Sequence, residues 1–391
     1  MIIAFDGSPL VTRNIAGVEQ RARNIISELA SAPAHHQYVL VMNEGTDRDV
    51  AFDSSFIDHL PAHFRQVWWT PPPTFANRLS RAIGRPLMSH SPADPSWNIF
   101  HSFGPTLPIL HDVCLSSTVH DLASELDADV RRTAGAGQKR REMRSAIERS
   151  QLVVAVSRQT AADVQALFQL PIDRIATIPN GINPIFTPVS ASQVRQQLRE
   201  KYQLPGRYAL LVGSDIRRRN YRLVVEALAK LFPSAPALRV GFAGRQKWAN
   251  SSLYQRIKEM GILDRCVFID SPGDDELAQL YRDATITICG SSFEGFGLSV
   301  LEAAACGCAV ACSDMASLRE LAEDAVVYFA HDDTASMAEA IKMLLDDVDY
   351  RKLLIARGLK RAGQYSWKAA AQRLMGALEN TAHQAAARAH I

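Results

Sequence analysis

The sequence lacks the uninterrupted apolar run of about 18 residues that a membrane-spanning helix needs. Its first residues, MIIAFDGSPL, contain no basic segment followed by an apolar one, the pattern typical of a secretory leader. The six cysteines form no CxxC pair and no spacing of a secreted disulfide framework. We therefore expect a cytoplasmic protein without a leader, with peripheral association at the inner face of the membrane left open.

A strong charge of either sign is also missing. Lys and Arg total 43 against 41 Asp and Glu, so the formal net charge is only +2. Such a balance gives no global field for a polyanionic partner, and nucleic acid is not expected. The length, 391 residues, exceeds what a single hydrophobic core usually supports, so we expect two domains.

Apolar runs alternate with segments of helical periodicity in two separate blocks. The runs lie at 2–5, 38–42, 98–103, 115–121 and 151–157 in the first block and at 208–214, 238–244, 267–270, 285–290 and 309–314 in the second. This rhythm predicts an α/β fold with two Rossmann-like parallel-sheet domains facing a cleft. The predicted domains are 1–188, 189–367 and an Ala-rich helix, 368–391, that packs back on the first domain.

The segment SSFEGFGLSVLEAAACGCAV, 291–310, follows a predicted strand and opens a helix. A helix start suits a phosphate group, because free N–H groups and the positive end of the helix dipole point outward there. Glu294 and Glu302 flank this start, and carboxylates accept strong hydrogen bonds from vicinal hydroxyls of a sugar or ribose. The spacing alone leaves an alternative open, namely two ordinary solvated glutamates. The nearby Cys306, Cys308 and Cys312 are interpreted as buried free thiols rather than metal ligands.

The same segment closely resembles the E-x7-E signature of glycosyltransferase family 4. Further resemblances are VGSDIRRRN at 212–220, AGRQKW at 243–248, AGVEQRARNIISEL at 16–29 and TVHDL at 118–122, so nearly the whole chain is covered. The resemblance implies a retaining enzyme of the GT-B fold, in a mannosyltransferase-like branch that serves bacterial surface polysaccharide and lipopolysaccharide synthesis. Two departures are Ser299, where the family usually has Pro, and Arg219, where it usually has Lys.

The family's site residues carry over to matching positions in this chain. The resemblance implies that Arg219 grips the donor diphosphate and that His120 acts on the donor sugar, while Glu294 holds the sugar hydroxyls and Glu302 the ribose. The implied catalytic residues are His120, Glu294 and Arg219, and the implied donor-binding residues are Gly17, Ser214, Arg219, Glu294, Gly295, Phe296, Gly297, Leu298 and Glu302. No cofactor and no metal is expected, and a GDP- or dTDP-linked sugar is the favoured donor.

Acceptor binding has a weaker signal in a basic stretch of the first half. Arg131, Arg132, Lys139 and Arg140 are candidates for contacting a glycan or a lipid-linked acceptor, and a solvated basic helix face is the alternative. The triplet DAD at 127–129 has the form of a metal-binding motif, but we interpret it as a solvated loop because no partner motif accompanies it.

Rival functions remain on the same architecture. A nucleotide-sugar epimerase or a phosphorylase uses a similar fold, since fold alone does not settle function. A non-catalytic subunit that binds sugar nucleotides is a third possibility, although Glu294, Glu302 and His120 are all retained.

Overall fold

The computed structural model describes residues 1–12, 17–33, 35–43, 53–69, 96–104, 106–108, 110, 113–133, 135–189, 192–204, 206 and 208–389. Two compact units are present. The first contains Met1–Glu125, Ala134–Gly181 and Trp367–Ile391, and the second contains Leu126–Thr133 and Ile182–Ser366.

A parallel sheet forms the centre of the first unit. Its strands are β1 (Ile2–Asp6), β2 (Gln37–Asn43), β3 (Phe64–Trp69), β4 (Ile99–Ser102), β5 (Cys114–Val119), β6 (Leu152–Ala155) and β7 (Ile175–Thr177). In the described part of the chain their order is β3-β2-β1-β4-β5-β6-β7, and every pairing between them is parallel. The central strands β4, β5 and β6 are buried along their whole length, as expected for a parallel sheet covered on both faces.

Helices cover this sheet. They are α1 (Gly17–Ser31), α2 (Ser55–Asp58), α3 (Ala123–Leu126), α5 (Ala136–Arg149) and α6 (Arg158–Phe168). Between α3 and α5 lies α4 (Ala128–Arg131), which belongs to the second unit. The last helix of the chain, which we number α15 (Trp367–Ala389), packs against α1. Leu374 and Leu378 of α15 share one apolar cluster with Ile25 of α1 and Phe5 of β1, so the C-terminal helix completes the core of the first unit.

The second unit repeats the plan with six strands. These are β8 (Tyr208–Val212), β9 (Arg239–Gly244), β10 (Cys266–Asp270), β11 (Ile286–Cys289), β12 (Ala309–Ser313) and β13 (Val327–Phe329). Across the described residues the order is β10-β9-β8-β11-β12-β13, again parallel throughout. The chain order reverses direction between β8 and β11, and ligands of such sheets bind beyond the carboxyl ends of the strands at that place.

The helices of the second unit follow its strands in turn. They are α7 (Ser192–Tyr202), α8 (Tyr221–Leu231), α9 (Ser252–Glu259), α10 (Asp274–Asp283), α11 (Leu298–Ala305), α12 (Ala316–Ala322), α13 (Thr334–Asp346) and α14 (Val348–Ala362). A short 3-10 turn, Arg217–Arg219, precedes α8. Short α4 packs against this turn, which is why the segment Leu126–Thr133 belongs to the second unit.

The predicted fold class is confirmed, because both units are α/β with parallel Rossmann-like sheets. Strand β3 was not predicted. Its sequence FRQVWW mixes charged and aromatic residues, and it lies at the edge of its sheet with Trp68 exposed, so no continuous apolar run marks it.

The change of unit falls at 181/182, whereas the sequence placed it after Pro188. Contacts explain the difference. Ile182 bridges to Ser366, and Arg282 of α10 donates to the carbonyl oxygens of Ile185 and Thr187 at 2.6 Å each. The segment that contains Pro184 and Pro188 is therefore held on the second unit by these contacts.

Candidate active site

The loop between β11 and α11 carries the first signature glutamate. It follows the buried strand Ile286–Cys289 and ends at Gly297, whose φ of +102° favours glycine. A β-carbon at Gly297 would lie 2.4 Å from a methyl carbon of Leu318. Glycine is thus required both by the backbone and by the packing, and it lets α11 start at Leu298 close to α12. The predicted strand–loop–helix arrangement of this segment is present.

Glu294 is held by four polar contacts within the second unit. Arg219 Nη1 donates to Glu294 Oε1 at 2.9 Å, and Ser291 Oγ donates to the same oxygen at 2.8 Å. Arg218 Nη1 lies 4.0 Å from Oε2. The hydroxyl of Ser317 donates to the backbone carbonyl of Glu294 at 2.5 Å. These contacts fix both the side chain and the loop, and they leave Oε2 without a hydrogen bond from any described residue.

Glu294 and Arg219 keep their opposite charges over a wide pH range. Burial by itself raises the pKa of Glu294, but Arg219, then Arg218, and the Ser291 hydroxyl lower it by more, so the net pKa is below its ordinary value. The Glu294 carboxylate in turn raises the pKa of Arg219. The pair therefore remains an ion pair at neutral pH, and only 9% of the Glu294 side chain is exposed.

The Arg217–Arg219 turn places its guanidinium groups at the carboxyl end of β8. Gly213 follows that strand with φ +127°, and a β-carbon there would lie 3.0 Å from Arg219 Nε. Asn220 ends the turn in the left-handed region with φ 57°, which Asn tolerates better than most residues. The bare face of Gly213 thus allows the Arg219 guanidinium to pack against the strand end.

Glu302, the second signature glutamate, is buried and only 7% exposed. Its Oε2 accepts a hydrogen bond of 3.1 Å from the hydroxyl of Tyr281 in α10. Glu302 lies on α11, one turn after its start, as the sequence predicts. Its contact with Tyr281 was not predicted, since nothing in the spacing of the two residues links them.

His120 belongs to the first unit and follows β5. Its Nε2 is 2.8 Å from the carbonyl oxygen of Phe103. Because a carbonyl oxygen only accepts, we assign the ring proton to Nε2, which leaves Nδ1 as an acceptor. Burial, followed by the positive charge of Arg21, lowers the pKa of His120 to about 4. The imidazole is therefore neutral at physiological pH and suited to accept a hydrogen bond from a hydroxyl.

Arg21 of α1 is a completely buried cation beside this histidine. Its Nη1 donates to Asn180 Oδ1 at 2.6 Å and to the Ile178 carbonyl at 3.1 Å, and no acidic group pairs with it among the described residues. Burial lowers the pKa of Arg21 to about 10. Sequence inspection missed this residue, because its position inside a helical pattern gives no sign that a cation is buried.

The remaining implied donor residues have varied surroundings. Gly17 is exposed at the start of α1 in the first unit, with open space where a β-carbon would lie. Ser214 follows Gly213 in the second unit and its carbonyl accepts from the Ile216 N–H at 2.8 Å. Gly295, Phe296 and Leu298 belong to the glutamate loop and its helix start, and the ring of Phe296 packs edge-on against Tyr365. Their roles in binding stay predictions.

Two of the four basic acceptor candidates belong to the first unit and two to the second. Arg140 donates to Glu125 Oε2 at 2.8 Å, in a cluster that also includes Arg144. Arg131 and Arg132 are exposed in the segment that packs on the Arg217–Arg219 turn, whereas Lys139 is exposed on α5 of the first unit. The stretch is therefore not one continuous basic face on one unit, and the acceptor role stays a prediction.

The placement of His, Cys, Asp and Glu side chains among the described residues bears on metal binding. No group of three His, Cys, Asp or Glu side chains with the geometry to hold a metal ion occurs among them. Cys306, Cys308 and Cys312 are free and buried, as the sequence predicts. Asp127 lies in the second unit, and the side chain of Asp129 is outside the described part of the chain.

Two family models together match most of the chain. Residues 15–186 match the model described as Glycosyltransferase Family 4, and residues 194–361 match the one described as Glycosyl transferases group 1. The chain belongs to glycosyltransferase family 4. The predicted membership is confirmed, and the site built around Glu294 and Arg219 lies in the segment that matches the group 1 model.

A curated relative supports the mannosyltransferase-like branch. The chain is 31% identical over 232 residues to the O-antigen chain mannosyltransferase B of Escherichia coli, a match that covers 58% of this chain and 60% of that protein. The chain thus matches less than two thirds of the length of this relative.

Solved structures share the fold of nearly the whole chain. Sucrose-phosphate synthase from Thermosynechococcus elongatus aligns with a TM-score of 0.75 at 21% identity and covers 98% of this chain and 100% of that one. The Anabaena protein HepE, solved with UDP and glucose, aligns with a TM-score of 0.70 at 15% identity over 97% and 99% of the two chains. At such identities the likeness concerns the fold alone.

In the described part of this chain, no helix has the length and apolar character required to span a bilayer.

Proposed function

We propose that this protein is a retaining hexosyltransferase that uses a nucleoside-diphosphate sugar as donor and a glycan or a lipid-linked glycan as acceptor, without a metal ion. A mannose-type sugar is favoured, because the Escherichia coli relative is named a mannosyltransferase. The observation that carries the proposal is the Arg219–Glu294 ion pair beside the start of α11.

The chemistry follows from these groups. A departing nucleoside diphosphate accumulates negative charge, and catalysis benefits most from groups already placed to stabilise it. The Arg219 guanidinium, with Arg218 close by, and the positive end of α11 supply such stabilisation with side chains and backbone in place of a metal. Oε2 of Glu294 is able to accept from sugar hydroxyls and to hold the anomeric carbon in position.

Retention requires that the acceptor hydroxyl attack on the face from which the diphosphate leaves. The bond from the anomeric carbon to the phosphate oxygen breaks, the bond to the acceptor oxygen forms, and the hydroxyl proton passes to the departing phosphate. In the first unit, neutral His120 offers an acceptor nitrogen for a sugar hydroxyl. A cationic role for His120 is disfavoured, since its pKa is lowered to about 4.

The first experiment is a thermal-shift screen against GDP-, UDP-, ADP- and dTDP-sugars, run with EDTA. One nucleotide class should raise the melting temperature, because a ligand that binds only the folded state stabilises it. Transfer is then followed by proton NMR of the anomeric signal with the selected donor and an acceptor glycan. Release of the nucleoside diphosphate with a retained anomeric configuration supports the proposal.

Three results would contradict it. Conversion of the donor to its epimer without an acceptor indicates an epimerase. Loss of all transfer in EDTA, restored by a divalent cation, contradicts the metal-free mechanism. Donor binding without turnover over a range of acceptors points to a binding subunit.

A further inference from the structure

Besides Arg256 Nε of α9, three buried donors of the second unit lack a hydrogen-bond acceptor among the described residues. They are Arg219 Nε, Tyr221 Oη and Gln246 Nε2. All three lie around the loop after β8, since Gln246 Oε1 accepts from the Asp215 N–H at 2.8 Å. Buried polar groups in folded proteins nearly always have a partner, and an exception calls for a ligand or another cause.

Two of these donors approach one side of Gly213. A β-carbon on this glycine would lie 3.0 Å from Arg219 Nε and 3.2 Å from Tyr221 Oη. Glycine at this position, with φ +127°, therefore allows both donors to converge on the strand end. Both donor atoms therefore lie on the side of Gly213 where another residue would carry its β-carbon.

Tyr221 is fixed in place by its ring. It is only 3% exposed, and its ring packs against those of Phe242 and Trp248 at centroid distances of 6.2 Å in each case. Burial raises the pKa of Tyr221 above its ordinary value, so the phenol keeps its proton and donates. A rigid ring aims this hydroxyl without further loss of conformational entropy.

The chemistry of the pair selects the occupant. Arg219 carries a permanent charge and offers only donors, and the Tyr221 hydroxyl has no acceptor for its proton among the described residues. A negatively charged oxygen fits such a pair better than a hydroxyl, because hydrogen bonds with an ionised partner are roughly twice as strong. Arg219 Nη1 is already engaged by Glu294, which leaves Nε as the nitrogen beside Gly213.

We propose that Tyr221 is a further binding residue for the donor nucleotide: its hydroxyl and Arg219 Nε donate to one oxygen of the diphosphate beside Gly213. The inference rests on the proposed function, since it presumes a nucleoside-diphosphate ligand. It adds a side chain that the sequence did not single out.

The test compares Tyr221→Phe, which removes one oxygen atom, with Tyr350→Phe, the same change at the partly buried Tyr350 of α14. Binding of GDP, UDP, ADP, dTDP and inorganic pyrophosphate is measured by calorimetry for both variants and the wild type. We expect Tyr221→Phe to weaken the binding of the preferred nucleoside diphosphate about tenfold, because a hydrogen bond to a charged group is lost. The binding of pyrophosphate to Tyr221→Phe should weaken by a similar factor. Tyr350→Phe should bind both ligands as tightly as the wild type does.

The melting temperature of the unliganded variant separates binding from a structural role. Tyr221→Phe should melt at or above the wild-type temperature, because it removes a buried hydroxyl that has no partner in the described part of the chain. A clearly lower melting temperature would overturn the inference.

Two further outcomes are distinguishable. Wild-type protein that binds none of the nucleoside diphosphates overturns the proposed function and the inference together. Wild-type protein that binds one of them, with Tyr221→Phe binding it equally well, overturns the inference alone and indicates that the hydroxyl meets only water.

Discussion

Arg219 Nη1 and Glu294 Oε1 lie 2.9 Å apart although 75 positions separate the two residues in the chain. One follows β8 and the other follows β11, two strands that pair directly in the sheet of the second unit. Adjacent parallel strands bring their carboxyl ends to the same edge. The contact therefore joins the two sequence motifs that had been interpreted separately as a diphosphate-binding turn and a sugar-binding glutamate.

Glu294→Gln should reduce kcat/KM by about 100-fold, because the amide holds the loop but offers only one acceptor oxygen to the sugar hydroxyls. The cost in stability should be roughly 2 kcal/mol, since Arg219 loses its buried counter-charge. Steady-state kinetics and urea unfolding measure the two effects. Glu339→Gln, on the exposed face of α13, is the matched control, and equal activity in the two variants would refute the role of Glu294.

Arg219 allows a graded test of leaving-group stabilisation. Arg219→Gln should lower kcat by about 100-fold, because the charge that meets the departing diphosphate is gone. Arg219→Lys should retain much of the activity, since the charge remains although the planar fork is lost. Arg373→Gln, at an exposed position of α15, controls for a general loss of positive charge. An Arg219→Gln enzyme with wild-type kcat would contradict the mechanism.

His120 should make folding sensitive to acid. Its pKa is about 4 in the folded state and about 6.5 in an unfolded chain, so between these values the unfolded chain binds a proton that the folded protein does not. Stability therefore falls as the pH drops from 6.5 to 4, by about 1.4 kcal/mol per pH unit for one such group. Buried His101, with a pKa lowered to about 3 by burial and by Arg21, adds to the slope.

His120→Gln should reduce this slope, because Gln keeps a donor for the Phe103 carbonyl and does not titrate. Urea unfolding at pH 5 and pH 7 gives the difference for wild type, His120→Gln and the exposed His383→Gln. The His120 variant should show the smaller difference between the two pH values. An unchanged difference would mean that His120 is not buried in its neutral form.

Two glycines should respond to alanine in opposite directions. A β-carbon at Gly244 would lie 2.3 Å from the backbone oxygen of Gly213, so Gly244→Ala should destabilise the protein by about 2 kcal/mol and displace the site loop. Gly376, inside α15, has no atom near its β-carbon position. Gly376→Ala should therefore stabilise the helix by about 0.5–1 kcal/mol. Thermal unfolding of both variants tests the pair, and a shift of the same sign in both would contradict the packing argument.

Local patterns in the sequence identified the elements that carry the site. The run TITICG and the glycines around Phe296 mark β11, its loop and the start of α11, because burial and positive φ leave a direct trace in residue type. Edge strand β3 left no such trace, since its face is partly exposed and needs no apolar run.

The contacts around the glutamates are different in kind. Ser291 lies three positions before Glu294. Because this spacing is short, the hydrogen bond between the two side chains could have been predicted from the sequence. Tyr281 and Ser317 approach the site from helices distant in the chain, and nothing local marks them. Tyr221 lies two positions after Arg219, but its residue type does not show that its hydroxyl is buried. Residue type reports what a position tolerates, not which distant side chain meets it.

The sequence by itself determined the fold class, the family and the order of the strands and helices around Glu294 and Arg219, since periodicity and motif spacing are properties of neighbouring residues. Only the tertiary structure decided that Arg219 neutralises Glu294, that His120 is neutral, and that Arg21 and Tyr221 are buried with donors that lack partners among the described residues. Those properties arise from packing between elements far apart in the chain, where burial removes water and makes charges and hydrogen bonds depend on distance.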